Sequence, residues 1–471
     1  MPIDTQTTRI ITCTDWSPNP IDGFPSYVPS PMSADSTSPY QMGIYSRDHE
    51  NYYTTGYVGI GRLVDHTGNS KTIECEDGIE RELVLRVNPR FRVDPWKMLA
   101  TVMQDSEYSS YVGRDPEKFF KINVNEKTIE VPTNESGGEL LLAMSFVSAC
   151  HSICKKNLKP NMAFEDNNYN GKVKGKILFG QHFKSNLVNG RADKVYCRHT
   201  VFSIDTLENR VLKAALYISK RIIADYKNKL GSIDAMMHFC EDSLKNVSSV
   251  FIMKSDFANI KVTGFNSYYA PAMKLAKHLI SHTSISIVDN DLFNKKEVIP
   301  YVIKMESLFE FYIRSLIKTY IEENHKENEV YIEKYAKRFG TMKPGEIGNV
   351  YLMKNYIPDL AIMDPNNDSF IAVLDAKYQP YIIRDDDNRK RHNSHQLLFY
   401  ALLLNARKCG FVFPMSGELN DNNDTVQSEL DIQTGNLNIS NIVKYSQWLL
   451  SGEDSSDQVI ISNLLDWILN E

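Results

Sequence analysis

Toward the C-terminal end of the chain an apolar run, Phe370-Ile371-Ala372-Val373-Leu374, leads straight into Asp375-Ala376-Lys377, with Pro358-Asp359 a short distance upstream. A continuous apolar run of this length reads as a central strand covered on both faces. Side chains alternate along a strand, so Asp375 and Lys377 project to the same side. Burying two carboxylates and an ammonium costs several kcal/mol of solvation unless they pair with one another or hold a metal. The segment therefore calls for an α/β layer with a charged centre at the end of a buried strand.

Metal-dependent phosphodiester hydrolysis needs such a set. Carboxylates are hard oxygen ligands for Mg2+, with Mn2+ as the alternative ion. The bound ion lowers the pKa of a water and neutralises charge on phosphate oxygens. A lysine beside it can orient the attacking water or stabilise the charge that develops in the transition state. Upstream, Met305, Leu308, Phe309, Tyr312, Leu316 and Tyr320 form the apolar face of an expected helix over 305–321. Glu310 sits at the edge of that face as a further ligand, and Glu306, one turn earlier, competes with it. Gln396 opens a helix expected over 396–406 and can hydrogen bond lysine or phosphate, with Tyr400 one turn later on the same face. Asp-x-Lys alone is common as a surface ion pair. The combination of helix Glu, Pro-Asp, apolar strand with Asp-x-Lys and helix Gln is what points to chemistry. The expected catalytic set is Glu310, Asp359, Asp375, Lys377 and Gln396, with Asp359, Asp375 and Glu310 as metal ligands.

Pro358-Asp359 with Asp375-Ala376-Lys377 is the signature of the PD-(D/E)xK nucleases. The wider pattern resembles the McrC family, the nuclease subunits of McrBC-type, modification-dependent restriction systems. Leu308-Phe309-Glu310, Leu374-Asp375-Ala376-Lys377-Tyr378 and His395-Gln396-Leu397-Leu398-Phe399-Tyr400 look like that family's helix, strand and helix motifs. Weaker likenesses lie upstream in Tyr57-Val58-Gly59-Ile60, Arg86-Val87-Asn88-Pro89, Met98-Leu99, Lys174-Gly175-Lys176-Ile177 and Glu208-Asn209-Arg210-Val211-Leu212-Lys213. Coverage runs from about residue 50 to the end. The first fifty residues match nothing in the family, and Arg90 stands where a lysine is common.

The resemblance implies a Mg2+-dependent DNA endonuclease subunit of a restriction complex. Its implied partners are double-stranded DNA and the hexamer of a McrB-like AAA+ GTPase that licenses cleavage. Residues 51–135 would dock on that motor and stimulate GTP hydrolysis, for which Arg62, Arg86, Arg90 and Arg92 are the candidate side chains. GTP is expected on the partner, because the chain has no G-x-x-x-x-G-K-[ST] loop; Gly68-Asn69-Ser70-Lys71-Thr72 lacks the Gly-Lys pair. Two other readings stand beside this one: a free-standing repair or recombination nuclease on the same fold, and a subunit that acts chiefly as an activator of the motor.

At 471 residues the chain is about three times the ~150-residue prior for one domain. The expected fold is multidomain α+β. An irregular Pro/Ser-rich segment, 1–50, precedes a β-rich domain, 51–135, with strands over 52–64 and 82–87, a helix opening at Pro95, and a hairpin over 119–131. A mainly helical middle segment, 136–289, carries expected helices over 140–154, 207–226, 236–244 and 270–280, and a short basic strand over 172–179. An α/β PD-(D/E)xK restriction-endonuclease-like domain, 290–471, has expected strands over 350–363 and 370–378. The formal net charge of −6 argues against one large basic surface but not against a local basic groove. Seven scattered cysteines, the lack of a signal-peptide core and the lack of a run long enough to span a bilayer lead to an expectation of a cytoplasmic protein away from membranes.

Lesser signals have plain structural readings. Cys150-x-x-x-Cys154 with His151 lacks a second ligand pair at finger spacing and reads as two thiols on a buried helix. His278 and His282 lack the glutamate of a His-Glu-x-x-His motif. The charged loop 384–391 and the basic helix face of Arg210, Lys213, Lys220 and Arg221 would each meet either DNA backbone or water.

Overall fold

The computed structural model describes residues 3–4, 7–17, 19–21, 44–46, 51–63, 70–104, 119–122, 128–132, 138–225, 231–260, 262, 264–288, 295–324, 326–327, 331–332, 358–367, 369–380, 388–415, 430–432, 443–450 and 454–469. By contacts the chain forms two compact units, one of 1–138, 228–232 and 295–471, the other of 139–227 and 233–294.

The first unit opens with a sheet built on β1 (Thr8–Thr14), β2 (Tyr57–Arg62) and β3 (Glu80–Asn88), so the segment 1–50, expected to be irregular, supplies a strand whose Ile10 and Ile11 are buried. β3 lies parallel to β1 and antiparallel to β2. Leu83, Val84 and Leu85 in β3 are fully buried, so the strand sits inside its sheet. Helix α1 (Pro95–Gln104) begins with proline in its first position, where a missing N–H costs nothing. Asp94 Oδ1 caps it, accepting the N–H of Trp96 at 2.8 Å.

Among the described residues the strands expected to form a hairpin over 119–131 do not pair with each other. β4 (Phe120–Ile122) and β5 (Ile129–Pro132) each pair with chain that arrives much later, β5 with β9 (Lys295–Val298) and β4 with β10 (Tyr301–Lys304). β10 also pairs with β2, so it completes the N-terminal sheet, and the chain re-enters the first unit after 294 rather than opening a separate sheet there. Gly59 in β2 makes that crossing possible. Its φ is +149°, and a Cβ there would lie 2.1 Å from the carbonyl oxygen of Tyr301.

In the second unit, α2 (Gly138–Lys156) is an almost wholly apolar helix, and α3 (Leu207–Asp225), α4 (Gly231–Ser243) and α5 (Ala270–Val288) follow it in sequence. The helices fall where the periodicity places them. Between α2 and α3, however, the unit also holds an antiparallel sheet in the order β6 (Asn161–Asn170), β8 (Lys194–Ser203), β7 (Lys176–Ile177). Glu208-Asn209-Arg210 at the start of α3 serves internal bonding. Lys159 Nζ reaches Glu208 at 2.6 Å, Asn209 donates to the carbonyls of Ile204 and Lys159 and accepts from Tyr269, and Arg210 pairs with Asp205 at 2.7 Å.

Back in the first unit, α6 (Met305–Glu323) precedes a second sheet in the order β11 (Tyr331–Ile332), β12 (Leu360–Asp364), β13 (Ser369–Ala376), β14 (Lys408–Pro414), β16 (Val443–Leu450), β15 (Leu430–Ile432). α7 (Asn388–Leu403) connects β13 to β14, which run parallel, as a helical crossover requires. α8 (Asp454–Leu469) closes the chain and packs on α6, where Tyr312 donates to Asp457 Oδ2 at 2.8 Å. The expected α/β layer is present. Of the strand expected over 350–363, residues 350–357 lie outside the described residues and β12 begins at Leu360. Among the described residues no helix is long and apolar enough to cross a membrane.

Candidate active site

β13 is the interior strand its sequence calls for: Ala372, Val373 and Leu374 are fully buried between β12 and β14. β12 runs antiparallel to it with Leu360 opposite Leu374, so Pro358-Asp359 arrives beside the end of β13 that carries Asp375. The N–H of Ala376 donates to Asp359 Oδ2 at 3.0 Å, fixing that carboxylate against the strand end. Lys377 turns back on the same side as Asp375. Its Nζ lies 3.0 Å from Asp375 Oδ1, 2.9 Å from Oδ2 and 4.0 Å from Asp359 Oδ2.

Asp375 is only 1% exposed. Burial first, and then the Asp359 carboxylate beside it, push its pKa well above the usual carboxylate range, against the pull of Lys377. Burial opposes the charge on Lys377, but Asp375 and Asp359 outweigh it and hold the ammonium above its ordinary value. Asp375 Oδ2 is buried without a well-aligned hydrogen bond, although the lysine stands beside it.

Glu310 reaches the same centre from α6. Burial is the main cause that pushes its pKa up to about 7; Arg314 opposes the shift and Asp359 adds to it. Its Oε1 lies 2.6 Å from Arg314 Nη2, an i,i+4 pair. Arg314, 3% exposed, also donates through Nε to the main-chain oxygen of Asp359 at 2.7 Å, and through Nη2 to the same atom. Glu306, the competing helix carboxylate, acts instead on Asp15 and Arg90 and lies against Gly56. Among the described residues Glu310, Asp359 and Asp375 do not close as a set to within 4.8 Å of one another. Gln396 Nε2 is taken by the hydroxyl of Tyr400 at 2.8 Å. Tyr400 itself is close enough to Asp375, Asp359 and Lys377 for their charges to act on it. Four of the five expected residues therefore converge directly, and Gln396 borders them through Tyr400.

Arg314 was not among the expected residues. Its position one turn after Glu310, on the buried side of an amphipathic helix, is the signal that could have found it. A second contribution comes from the N-terminal sheet. Arg90, just past β3, donates through Nη2 to the main-chain oxygen of Tyr378 at 2.6 Å, and its own N–H donates to Asp15 Oδ1 at 2.6 Å. Tyr378 follows Lys377 directly, so Arg90 anchors the backbone that positions the lysine.

An all-oxygen donor set with one carboxylate oxygen left without an aligned donor suits a hard divalent cation such as Mg2+. Asp359 and Asp375 would hold it, with Glu310 completing the acidic side. Of the arginines expected to serve a partner, Arg62 pairs with Glu82 within its sheet, Arg86 is buried and Arg90 is taken up by the Tyr378 carbonyl, whereas Arg92 is exposed. Three of the four basic residues on α3 are likewise committed within the second unit: Arg210 to Asp205, Lys213 to the carbonyl of Val247 and Lys220 to Glu241. The loop 384–387 lies outside the described residues, as do the side chains of 388–391.

The fold and site define an α+β protein with a buried carboxylate–lysine centre at the end of a mixed sheet. The family model for the McrBC 5-methylcytosine restriction system component matches residues 120–414, well over half of the chain. The chain belongs to that family. Among solved structures it is similar to the refined half-complex from the tetradecameric assembly of Thermococcus gammatolerans McrB AAA+ hexamers with bound McrC, at 14% identity and a TM-score of 0.38, over 92% of this chain and 88% of that one. It is also similar to the cryo-EM structure of the Thermococcus gammatolerans McrBC complex, at 13% identity and a TM-score of 0.28, over 61% of this chain and 74% of that one. A search of curated proteins returned no match.

Proposed function

We propose that this chain is the nuclease subunit of a restriction complex of the McrBC type, a PD-(D/E)xK enzyme that hydrolyses DNA phosphodiester bonds with Mg2+. The observation that carries the reading is the convergence of Asp359, Asp375 and Lys377 at one strand end, with Glu310 facing them from α6. When bound, the ion would supply an acidified water and neutralise phosphate charge. The protein does the rest. Asp359 and Asp375 present carboxylate oxygens fixed by the Ala376 N–H and by Lys377. Lys377, kept protonated by two carboxylates, orients the attacking water and donates to the non-bridging phosphate oxygen. Arg314 holds Glu310 and the Asp359 backbone in register with each other.

Family membership and the sequence resemblance to McrC support a McrB-like AAA+ GTPase as the partner, with residues 51–135 as the docking part and Arg92 as the exposed arginine there. The test is cleavage of methylated plasmid with Mg2+, comparing wild type, D375A and K377A with and without the partner GTPase and GTP. Cutting by wild type alone among the three, and only with partner and GTP, is expected. Cleavage retained by D375A in the assembled complex overturns the site.

A further inference from the structure

The second unit holds a cluster that the nuclease reading does not use. Cys150 and Cys154 lie one turn apart on α2, and Cys240 comes to them from α4. The three sulfurs lie within 4.8 Å of one another, and all three residues are buried. It is the one group of three or more such ligands that closes this tightly among the described residues. The other four cysteines, Cys13, Cys75, Cys197 and Cys409, are free thiols that stand outside it.

We propose that Cys150, Cys154 and Cys240 form a three-thiolate site for a zinc ion that ties α2 to α4 in the second unit.

The geometry is close to what the ion requires. Zn–S bonds of ~2.3 Å in a tetrahedral site put the sulfurs about 3.8 Å apart. The observed cluster therefore needs only a small contraction, within reach of cysteine rotamers on two packed helices. Thiolates select soft or borderline cations, which excludes Mg2+ and separates this site from the carboxylate centre. Cys150 and Cys240 are fully enclosed, while Cys154, 8% exposed, offers the route of entry. His151 stands on the rim. Its ring packs edge-on against Phe239, the neighbour of Cys240, with centroids 5.2 Å apart, and its nitrogens lie outside the 4.8 Å cluster, which leaves the fourth position to water. Three thiolates and one Zn2+ leave a single net negative charge, and Lys155 and Lys156 lie in the same last turn of α2 to offset it.

The chain between Cys154 and Cys240 carries the β6–β8 sheet and α3. A metal bridge at its ends closes a loop of about 86 residues and restricts the unfolded chain, so binding stabilises the unit. Sequence spacing hid the site because Cys240 lies far from any finger-like ligand pair.

The experiment uses the full-length chain expressed with added zinc, desalted and measured for metal content. Wild type, C409A and D375N are expected to carry about one zinc per chain, and C240A less than a tenth of that. A strong chelator should lower the melting temperature of wild type and leave that of C240A unchanged. Cobalt(II) substitution of wild type, which needs no variant to fold, should give thiolate-to-metal charge-transfer absorption. Wild type without zinc or without that absorption, zinc retained by C240A, or a disulfide within the trio found by mass spectrometry would each overturn the proposal.

Discussion

Arg314 binds the main-chain oxygen of Asp359 through Nε at 2.7 Å while its Nη2 holds Glu310 at 2.6 Å. One buried guanidinium therefore sets the spacing between a helix carboxylate and the strand-end aspartate across the site. R314A leaves a carbonyl and a carboxylate buried without this partner, and removing one member of a buried charged pair costs ~3–5 kcal/mol. Urea unfolding should show a loss of at least about 2 kcal/mol, the partial exposure of Glu310 softening the full penalty. Cleavage by the assembled complex should fall as well. R314K, which keeps the charge and loses the fork, should recover part of the stability and little of the rate. An R314A protein as stable and active as wild type would show that the guanidinium does not organise the site.

Without metal, the Asp375–Asp359 juxtaposition is a liability to the fold. Burial and the like-charged neighbour make ionised Asp375 unfavourable beyond what Lys377 returns. D375N removes that charge at nearly constant shape, so the metal-free protein should gain ~1–2 kcal/mol. Mg2+ should raise the melting temperature of wild type, since it binds the folded state alone, and should leave D375N unmoved. Differential scanning calorimetry in chelator and in Mg2+ gives both numbers. A drop in metal-free stability for D375N would mean that the Lys377 pairing outweighs the repulsion.

Asp15 supplies a pH dependence away from the metal ligands. Burial is the main cause that raises its pKa to about 6, with the Arg90 N–H and charge opposing and Glu306 adding to the shift. Its unfolded value is ~3.9, so between about pH 4 and pH 6 the folded state binds more protons than the unfolded one. Stability from this group is therefore fully present below the unfolded value and is lost as pH rises through about 6. Two pH units correspond to at most roughly 3 kcal/mol. Wild type should gain stability between pH 7.5 and pH 5 in urea titrations, with roughly 1.4 kcal/mol from Asp15. D15N, which can still accept the Arg90 N–H, should flatten that slope. An unchanged slope in D15N would place the titration elsewhere.

The strand that carries Asp375 was legible because burial on both faces demands a continuous apolar run, and Phe370–Leu374 supplies one. The α6 face and the proline start of α1 were legible for the same local reason. What the sequence hid is long-range pairing. Phe120–Ile122 and Ile129–Pro132 look like the two arms of a hairpin, yet their partners are Tyr301–Lys304 and Lys295–Val298. Nothing near 120–131 encodes that choice. β6, Asn161–Asn170, carries no strand pattern: Met162 and Phe164 are largely exposed, and the ladder with Lys194–Ser203 defines it instead. Arg314 was hidden and Arg90 was assigned to a partner because an arginine is ordinarily solvated, and only the fold shows which backbone oxygen each one meets.

Glu306 and Glu310 lie one turn apart on α6, and the structure gives them different neighbours. Glu310 meets Arg314 and feels Asp359 and Lys377, whereas Glu306 feels Asp15 and Arg90. Neutralising each in turn therefore separates the two roles. E310Q removes a carboxylate from the acidic side of the centre, and cleavage in saturating Mg2+ should fall by ~10²-fold or more, as when a group acting directly on the reacting atoms is lost. Below saturation the loss should be larger still, because Glu310 also contributes to ion affinity. E306Q should keep cleavage within a few-fold of wild type. Its mark should fall on stability instead, because removing a negative charge near Asp15 lowers that residue's pKa and shifts the stability–pH profile toward acid. Single-turnover cleavage across a Mg2+ titration, run beside urea unfolding at two pH values, measures both effects. Loss of cleavage in E306Q with retention in E310Q would reverse the roles of the two glutamates.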